Sequence, residues 1–455
     1  MTSAGDDLDV LRAIVGPDQV LTDPDVRASY ELDWTRRFRG QATAVVRPAS
    51  ADDVVAIVRV CAERRWPIVP QGGNTGLVGG SVPVDGGIVL STSRMAEVCE
   101  IDLEAAQVTV EAGVTLAALA ESLRGTGWEL GVDLGARESA TIGGMVATNA
   151  GGIRVLRYGS MRANVVGVEA VLGDGSSVRR LGGLVKDNTG YDLAGLLCGS
   201  EGTLGVVTAA RLRLVPAWPD RLTAWVRCSS WADAVALAAR ARREVDGLDG
   251  LEAVDAAGLA LVRDVHGVED PLGDLDAGGG EVGLLIEWAG RGSPPDSLGD
   301  LLGDRPHAVA SEPATRARLW ALREQQTESI ARSGVPHKLD VTLPLARLAG
   351  FTDAVRAEVA LVAPGARLFL FGHVGDGNLH VNVLGPDPDD PAVDDAVLAL
   401  VSRSGGSISA EHGIGRLKAA ALHLSRSPEE IAAFRALKAA LDPAGILNPG
   451  VLLAG

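Results

Sequence analysis

The spacing of apolar and polar positions changes period along the chain, and each change marks an element. From residue 51 the apolar positions Val54, Val55, Ile57, Val58 and Cys61 recur at helical spacing. Ser50 stands where an N-cap belongs, and Asp52 and Asp53 fall in the first turn, where carboxylates suit the helix dipole. Short apolar runs at 67–70 and 87–90 predict strands on either side of a glycine-rich stretch, 71–81. Further strands are predicted at 106–112, 165–172 and 204–214, with a helix at 116–124. This mixed α+β region ends near Pro216-Ala217-Trp218-Pro219.

A second region opens with a strand at 223–228 and a helix at 231–243. Strands such as 282–288 then alternate with helices at 314–332 and 345–362, a pattern that predicts an antiparallel sheet covered by helices. The Gly- and Asp-rich stretches 267–280 and 290–305, and the acidic stretch 385–390, read as exposed loops. The last helix has Ser427 as N-cap, Pro428 in its first turn and Glu430 completing a capping box. Ile431, Phe434, Leu437 and Leu441 give it an apolar face, and it stops at Asp442-Pro443. The expected fold class is α+β. The expected domains are 1–217, a substrate or cap domain at 218–405, and a segment at 406–455 that packs back on the first domain.

Composition narrows the function. With 455 residues, 46% of them hydrophobic, the chain can bury more than one core. A net charge of −17 argues against nucleic acid, which needs a basic surface. None of the four cysteines, Cys61, Cys99, Cys198 and Cys228, has cluster or metal spacing. That removes an iron–sulfur centre held by this chain alone and a disulfide framework, and it fits a reducing cytoplasm. Residues 1–7 are acidic and carry no signal-peptide core, and no apolar run is long enough to span a bilayer.

Three segments are rich in glycine: 71–81, 142–152 and 199–205. Glycine lets backbone N–H groups converge on an anion, as a pyrophosphate requires. Taken singly, each segment is as well explained by ordinary turns; three in one domain, interleaved with Asn and Thr, favour a phosphate cradle built from loops. A Rossmann site does not fit, because Gly73-Asn74-Thr75-Gly76 lies between two strands and opens no helix.

These strings, with 133–136, 157–160 and 186–193, resemble the FAD-linked oxidases of the vanillyl-alcohol oxidase and p-cresol methylhydroxylase type. Within them, the D-2-hydroxyglutarate and D-lactate dehydrogenase branch is the most similar. The resemblance implies a two-part FAD-binding domain followed by the antiparallel cap. It assigns FAD contacts to Gln71, Gly72, Gly73, Asn74, Thr75, Gly76, Gly80 and Ser81 in the first loop, with Gly72 to Gly76 at the pyrophosphate. Asp133, Leu134, Gly135, Ser139, Gly143, Gly144, Ala147, Thr148, Asn149, Gly151, Gly152, Tyr158 and Gly159 follow. Glu201, Gly202 and Val206 would lie near the adenosine, and Asn448 would close over the flavin. Residues 70–83 contain no histidine, so FAD is expected to be non-covalent.

Three of the seven histidines fall in two C-terminal motifs. The stretch 371–383 reads as strand, turn, strand. A turn centred on Asp376-Gly377 would set His373 directly opposite His380, with Asn382 on the same face. The second motif, Glu411-His412, sets a carboxylate beside an imidazole. Spacing alone leaves two readings open: a two-His, one-Glu metal site, or a pair of buried hydrogen-bonded histidines. The resemblance implies the first, with His373, His380 and Glu411 binding a divalent ion such as zinc or manganese and His412 as catalytic base. Such an ion would acidify a substrate hydroxyl, and a histidine, whose natural pKa suits neutral pH, can take its proton.

Arg323 and Thr327 fall four apart on the predicted helix at 314–332, and Lys338 follows on a predicted strand. Read alone, they fit a solvated helix face. The resemblance instead makes Arg323, Thr327, Lys338, Asn382 and His412 substrate contacts, and two cations suit a dicarboxylate. The expected activity is oxidation of a D-2-hydroxy acid, most simply D-2-hydroxyglutarate, by hydride transfer to FAD. D-lactate or glycolate oxidation, and a non-catalytic FAD-binding subunit of a larger complex, are the alternatives. The sequence leaves the electron acceptor open among electron-transfer flavoprotein, quinone and cytochrome. It also leaves the oligomeric state open, a homodimer being one option.

Overall fold

The computed structural model describes residues 8–276 and 280–454. The acidic 1–7 stretch and the centre of the 267–280 loop lie outside the described residues. The chain divides into two units, one of residues up to 151, 158–216 and from 411 onward, the other of 152–157 and 217–410.

In the first unit, Ser50 accepts a hydrogen bond from Asp53 N–H and caps helix Ala51–Arg64, whose Val54, Ile57, Val58 and Cys61 are buried. Strands Ala44–Val46 and Ile68–Gln71 run parallel to Ile88–Ser91 between them, and Val20–Leu21 adds an antiparallel edge. The C-terminal segment extends the other edge: Ile68 N–H donates to Ile446 O, and Asn448 N–H to Ile68 O. A second sheet is organised on the long strand Val206–Pro216, which pairs antiparallel with Gln107–Glu111, Val165–Val171 and Trp128–Leu130. Helices Leu116–Ser122 and Ile142–Thr148 share a core with this sheet.

The second unit holds a seven-stranded antiparallel sheet. Its order is His307–Ala310, Asp220–Cys228, Val282–Gly290, Leu248–Asp255, Arg367–Gly372, Asn378–Leu384 and His337–Thr342. Directly opposed residues share a face. Trp225, Leu285, Val254, Phe369 and Phe371 therefore point one way, and helices Ala256–His266, Pro313–Glu324 and Gln326–Ser333 bury them.

Three sequence expectations need correction. The predicted helix at 314–332 is two helices, Pro313–Glu324 and Gln326–Ser333. The break coincides with buried Gln326, whose side-chain amide donates to Leu322 O and enters the backbone ladder. Arg323 and Thr327 thus lie on different helices, and their four-residue spacing defines no common face. The second glycine segment is largely a helix, Ile142–Thr148, capped by Thr141. Its glycines serve packing, since a Cβ on Gly143 would sit 2.5 Å from that of Ala112. The stretch 290–305 is not wholly an exposed loop, because it holds the helix Asp296–Leu302 with Leu298, Leu301 and Leu302 buried. The final helix, Pro428–Leu441, has the expected capping box, with Ile431, Phe434 and Leu441 half-buried and Leu437 37% exposed.

Candidate active site

The glycine segments of the first unit meet. A Cβ on Gly73 would lie 1.7 Å from Ser139 O, and one on Gly72 would lie 2.2 Å from Thr141 Oγ1, so only glycine permits this approach. Asn74 adopts a left-handed conformation and its Oδ1 accepts from Ser81 Oγ, while Gln71 Nε2 donates to Ser81 O. Gly199 and Glu201 donate through their N–H groups to Val146 O and Ala147 O, joining the third segment to the helix of the second. Asn448 Nδ2 then donates to both Gly80 O (2.8 Å) and Glu201 O (2.7 Å). Thr148 Oγ1 bonds Gly144 O, and Asn149 Oδ1 accepts from Arg162 N–H. Tyr158 and Gly159 offer their carbonyls to Asn164 Nδ2.

Other assigned positions are engaged differently. Asp133 is gripped by Arg137 through two contacts. Leu134 packs on the core, nothing crowds Gly135, and Val206 is buried in a core. Gly202 has a positive φ and a Cβ there would meet Pro70, whereas Gly152 falls with the second unit.

His412 is the second residue of the last segment of the first unit, and the backbone just beyond it is clamped. The buried Glu201 carboxylate accepts from Ile414 N–H (2.8 Å) and Gly415 N–H (2.7 Å). Burial holds that carboxyl above its ordinary pKa, against the two N–H bonds and the charge of Lys418. Gly413 must lack a side chain, because a Cβ would lie 2.9 Å from Glu201 Oε1. Arg416 and Leu417 N–H groups both reach Val78 O, beside the first glycine loop. The base candidate is thus fixed by the same unit that assembles the glycine segments. Glu411 Oε1 lies 3.9 Å from His412 Nε2.

The second unit gathers charge along one face of its sheet. His380 opposes Asp340 on one neighbouring strand and Phe371 on the other, and Asn382 opposes Lys338 and Phe369. This register corrects the expected turn: His373 lies past the strand end, two residues from the position opposite His380. The connection is a five-residue loop, 373–377, rather than a tight turn. The rings of His373 and His380 nevertheless come together, with centroids 5.5 Å apart. His373 Nδ1 contacts Glu252 Oε1 at 2.5 Å, and Arg323 Nε donates to Glu252 Oε2 at 2.6 Å. Arg323 also stacks over Phe371, 4.6 Å from its centroid. Asp340 lies 3.5 Å from His380 Nδ1 and accepts from Asn378 Nδ2 and Ala410 N–H. The unit ends at Ala410, so Asp340 holds the chain one residue before Glu411.

Comparison with known proteins identifies the family. A family profile described as FAD binding domain matches residues 42–180, and one described as FAD linked oxidases, C-terminal domain, matches 219–452. The chain belongs to the FAD-linked oxidase family. It is accordingly an FAD-dependent oxidoreductase. A mitochondrial D-2-hydroxyglutarate dehydrogenase of Bos taurus is 40% identical over 98% of this chain and 83% of the relative. A D-2-hydroxyglutarate dehydrogenase of Xanthomonas citri pv. viticola is 37% identical over 95% and 93%. The fold is that of p-cresol methylhydroxylase, with a TM-score of 0.78 at 18% identity, covering 100% of this chain and 98% of that one. 4-Ethylphenol oxidase from Gulosibacter chungangensis gives 0.74 at 19%, with the same coverage.

The first unit fits the family's cofactor. Its glycine segments bring backbone close together at half-buried positions, and Asn448 Oδ1 is buried without a donor among the described residues. Two participants escaped the sequence reading. Glu252 sits in the wholly buried strand Leu248–Asp255, and Asp340 in His337–Thr342. A carboxylate on a strand of the sheet core was the available signal, since such a group stays buried only when paired.

Proposed function

We propose that the chain oxidises D-2-hydroxyglutarate to its 2-oxo acid, with His412 as the base. Non-covalent FAD supplies the hydride acceptor at flavin N5. His412 takes the hydroxyl proton as hydride leaves C2, and the Glu201 clamp fixes the backbone that carries it. Arg323 and Lys338 bind the two substrate carboxylates, with Thr327 and Asn382 completing the contacts. The N,N,O donor set of His373, His380 and Glu411 suits zinc or manganese, which would polarise the hydroxyl. Asp340 orients His380 beside it.

One observation carries the substrate reading. Asn382 is 1% exposed and its Nδ2 has no acceptor among the described residues. Arg323, stacked over Phe371 of the same sheet, has Glu252 as the one hydrogen-bond partner of its side chain among the described residues, through Nε, so both terminal Nη groups can fork onto a carboxylate. A buried amide donor calls for an oxygen acceptor, and the guanidinium favours an anionic one. The names of the relatives support the same choice of substrate.

The test mixes the purified protein anaerobically with D-2-hydroxyglutarate, D-lactate and glycolate, follows flavin absorbance, and measures metal in the same sample. Fastest bleaching by D-2-hydroxyglutarate is expected, and a preference for glycolate overturns the substrate assignment. No bleaching by any of the three favours a non-catalytic subunit. Glu411→Ala should lower metal content and activity together. Electrons would then pass to an electron-transfer flavoprotein, quinone or cytochrome. A reducing compartment such as the cytoplasm accords with four free thiols. Among the described residues, no helix is long and apolar enough to cross a membrane.

A further inference from the structure

We infer that Glu252 is a shared positioning residue that ties the metal ligand His373 to the substrate anchor Arg323. The inference rests on the ligand and substrate roles proposed above and adds the group that holds them together. Glu252 is fully buried on the strand Leu248–Asp255. Each of its oxygens serves one partner: Oε1 meets His373 Nδ1 at 2.5 Å, and Oε2 meets Arg323 Nε at 2.6 Å. The neighbouring aromatic contacts close a circuit. Arg323 lies over Phe371, the Phe371 ring is 5.0 Å from that of His380, and the His380 ring is 5.5 Å from that of His373.

This arrangement fixes the donor state of each partner. With Nδ1 donating to Glu252, His373 carries its lone pair on Nε2, the tautomer a metal ligand requires. With Nε anchored, Arg323 turns its planar Nη pair outward as a fork for a carboxylate. A single buried carboxylate therefore sets the tautomer of one group and the rotamer of the other. A neutral amide cannot replace it, because it has one acceptor oxygen and its NH2 would face a donor. Loss of the charge should disturb both functions together, whereas a residue holding only the sheet would disturb neither selectively.

The experiment compares Glu252→Gln with Glu287→Gln in the full-length, FAD-loaded protein. Glu287 is a second buried carboxylate of the same sheet, but it serves Thr223, Arg316 and Trp320. Zinc and manganese affinity, FAD content, melting temperature, and kcat and KM for D-2-hydroxyglutarate are measured. Glu252→Gln should keep its FAD, lose about 10- to 100-fold in metal affinity, and raise KM about tenfold. Glu287→Gln should keep both metal and KM. If Glu252→Gln fails to fold, Glu252→Asp retains the charge but its shorter arm reaches one partner, and metal affinity should still fall or KM still rise. Full metal affinity with unchanged KM in the folded Glu252 variant overturns this inference alone. A wild-type enzyme that turns over without divalent metal overturns the proposed ligand set, and this inference with it.

Discussion

The two units build their sites by opposite means. In the first, backbone does the work: glycines let main-chain segments approach, and Asn448 stitches Gly80 O to Glu201 O. In the second, side chains from five separate elements converge, with Glu252, Arg323, Asp340, His373 and His380 each contributing a charge or a ring. A backbone site is broken by adding an atom, and a side-chain site by removing one. The base candidate belongs to neither type alone, because His412 is a side chain aimed by a clamped backbone. Its loss should have the largest effect. His412→Ala should keep its yellow FAD and slow flavin reduction by about 10²- to 10⁴-fold, read by anaerobic stopped-flow absorbance. Reduction within tenfold of wild type would remove His412 as the base.

The next test adds a methyl group to the first unit. Gly73→Ala would place Cβ 1.7 Å from Ser139 O, a backbone atom that cannot rotate aside. Overpacking of this kind costs about 1–3 kcal/mol, so FAD affinity should fall about tenfold or more, read by fluorescence of released flavin. Metal binding through His373, His380 and Glu411 should be unaffected. The converse removes a charge from the second unit. Lys338→Met should leave FAD content intact and raise KM for D-2-hydroxyglutarate by about 10- to 100-fold, with little change for D-lactate. Equal losses on both acids would show that Lys338 does not read the distal carboxylate.

The same contrast explains what the sequence made legible. The glycine strings are contiguous, so their segments could be found without a fold, although 142–148 proved helical because glycine also serves close packing against Ala112. Caps were readable for a similar reason: Ser50 and Ser427 act within four residues of themselves. The second unit depends on register between distant strands. The His373 and His380 motif was visible, but the five-residue connection moved His373 off the position opposite His380. Glu252 lies more than seventy residues from Arg323 and more than a hundred from His373, so no local pattern pointed to their pairing. Arg323 was legible only by resemblance; its side-chain burial follows from Glu252, which pattern alone could not supply.

The smallest expected effect sharpens the comparison most, because it lies where backbone and side chain meet. Among the described residues the Glu201 carboxylate accepts hydrogen bonds from the backbone N–H groups of Ile414 and Gly415, and those follow His412 by two and three residues. Glu201→Gln keeps the shape, retains one acceptor oxygen and sets an NH2 against the second N–H. Losing one charge-assisted bond of about 1.5–3 kcal/mol should let the segment after His412 shift without unfolding the unit. The expected result is a fall in kcat of about tenfold with KM near wild type, because Arg323 and Lys338 are untouched and only the base is misplaced. FAD content should stay high, since Asn448 bonds the Glu201 backbone carbonyl and not its side chain. A rise in KM with unchanged kcat would instead mean that the clamp shapes substrate binding. A loss of FAD would mean that Glu201 belongs with the glycine segments, and that the first unit's division between backbone cradle and aimed base does not hold.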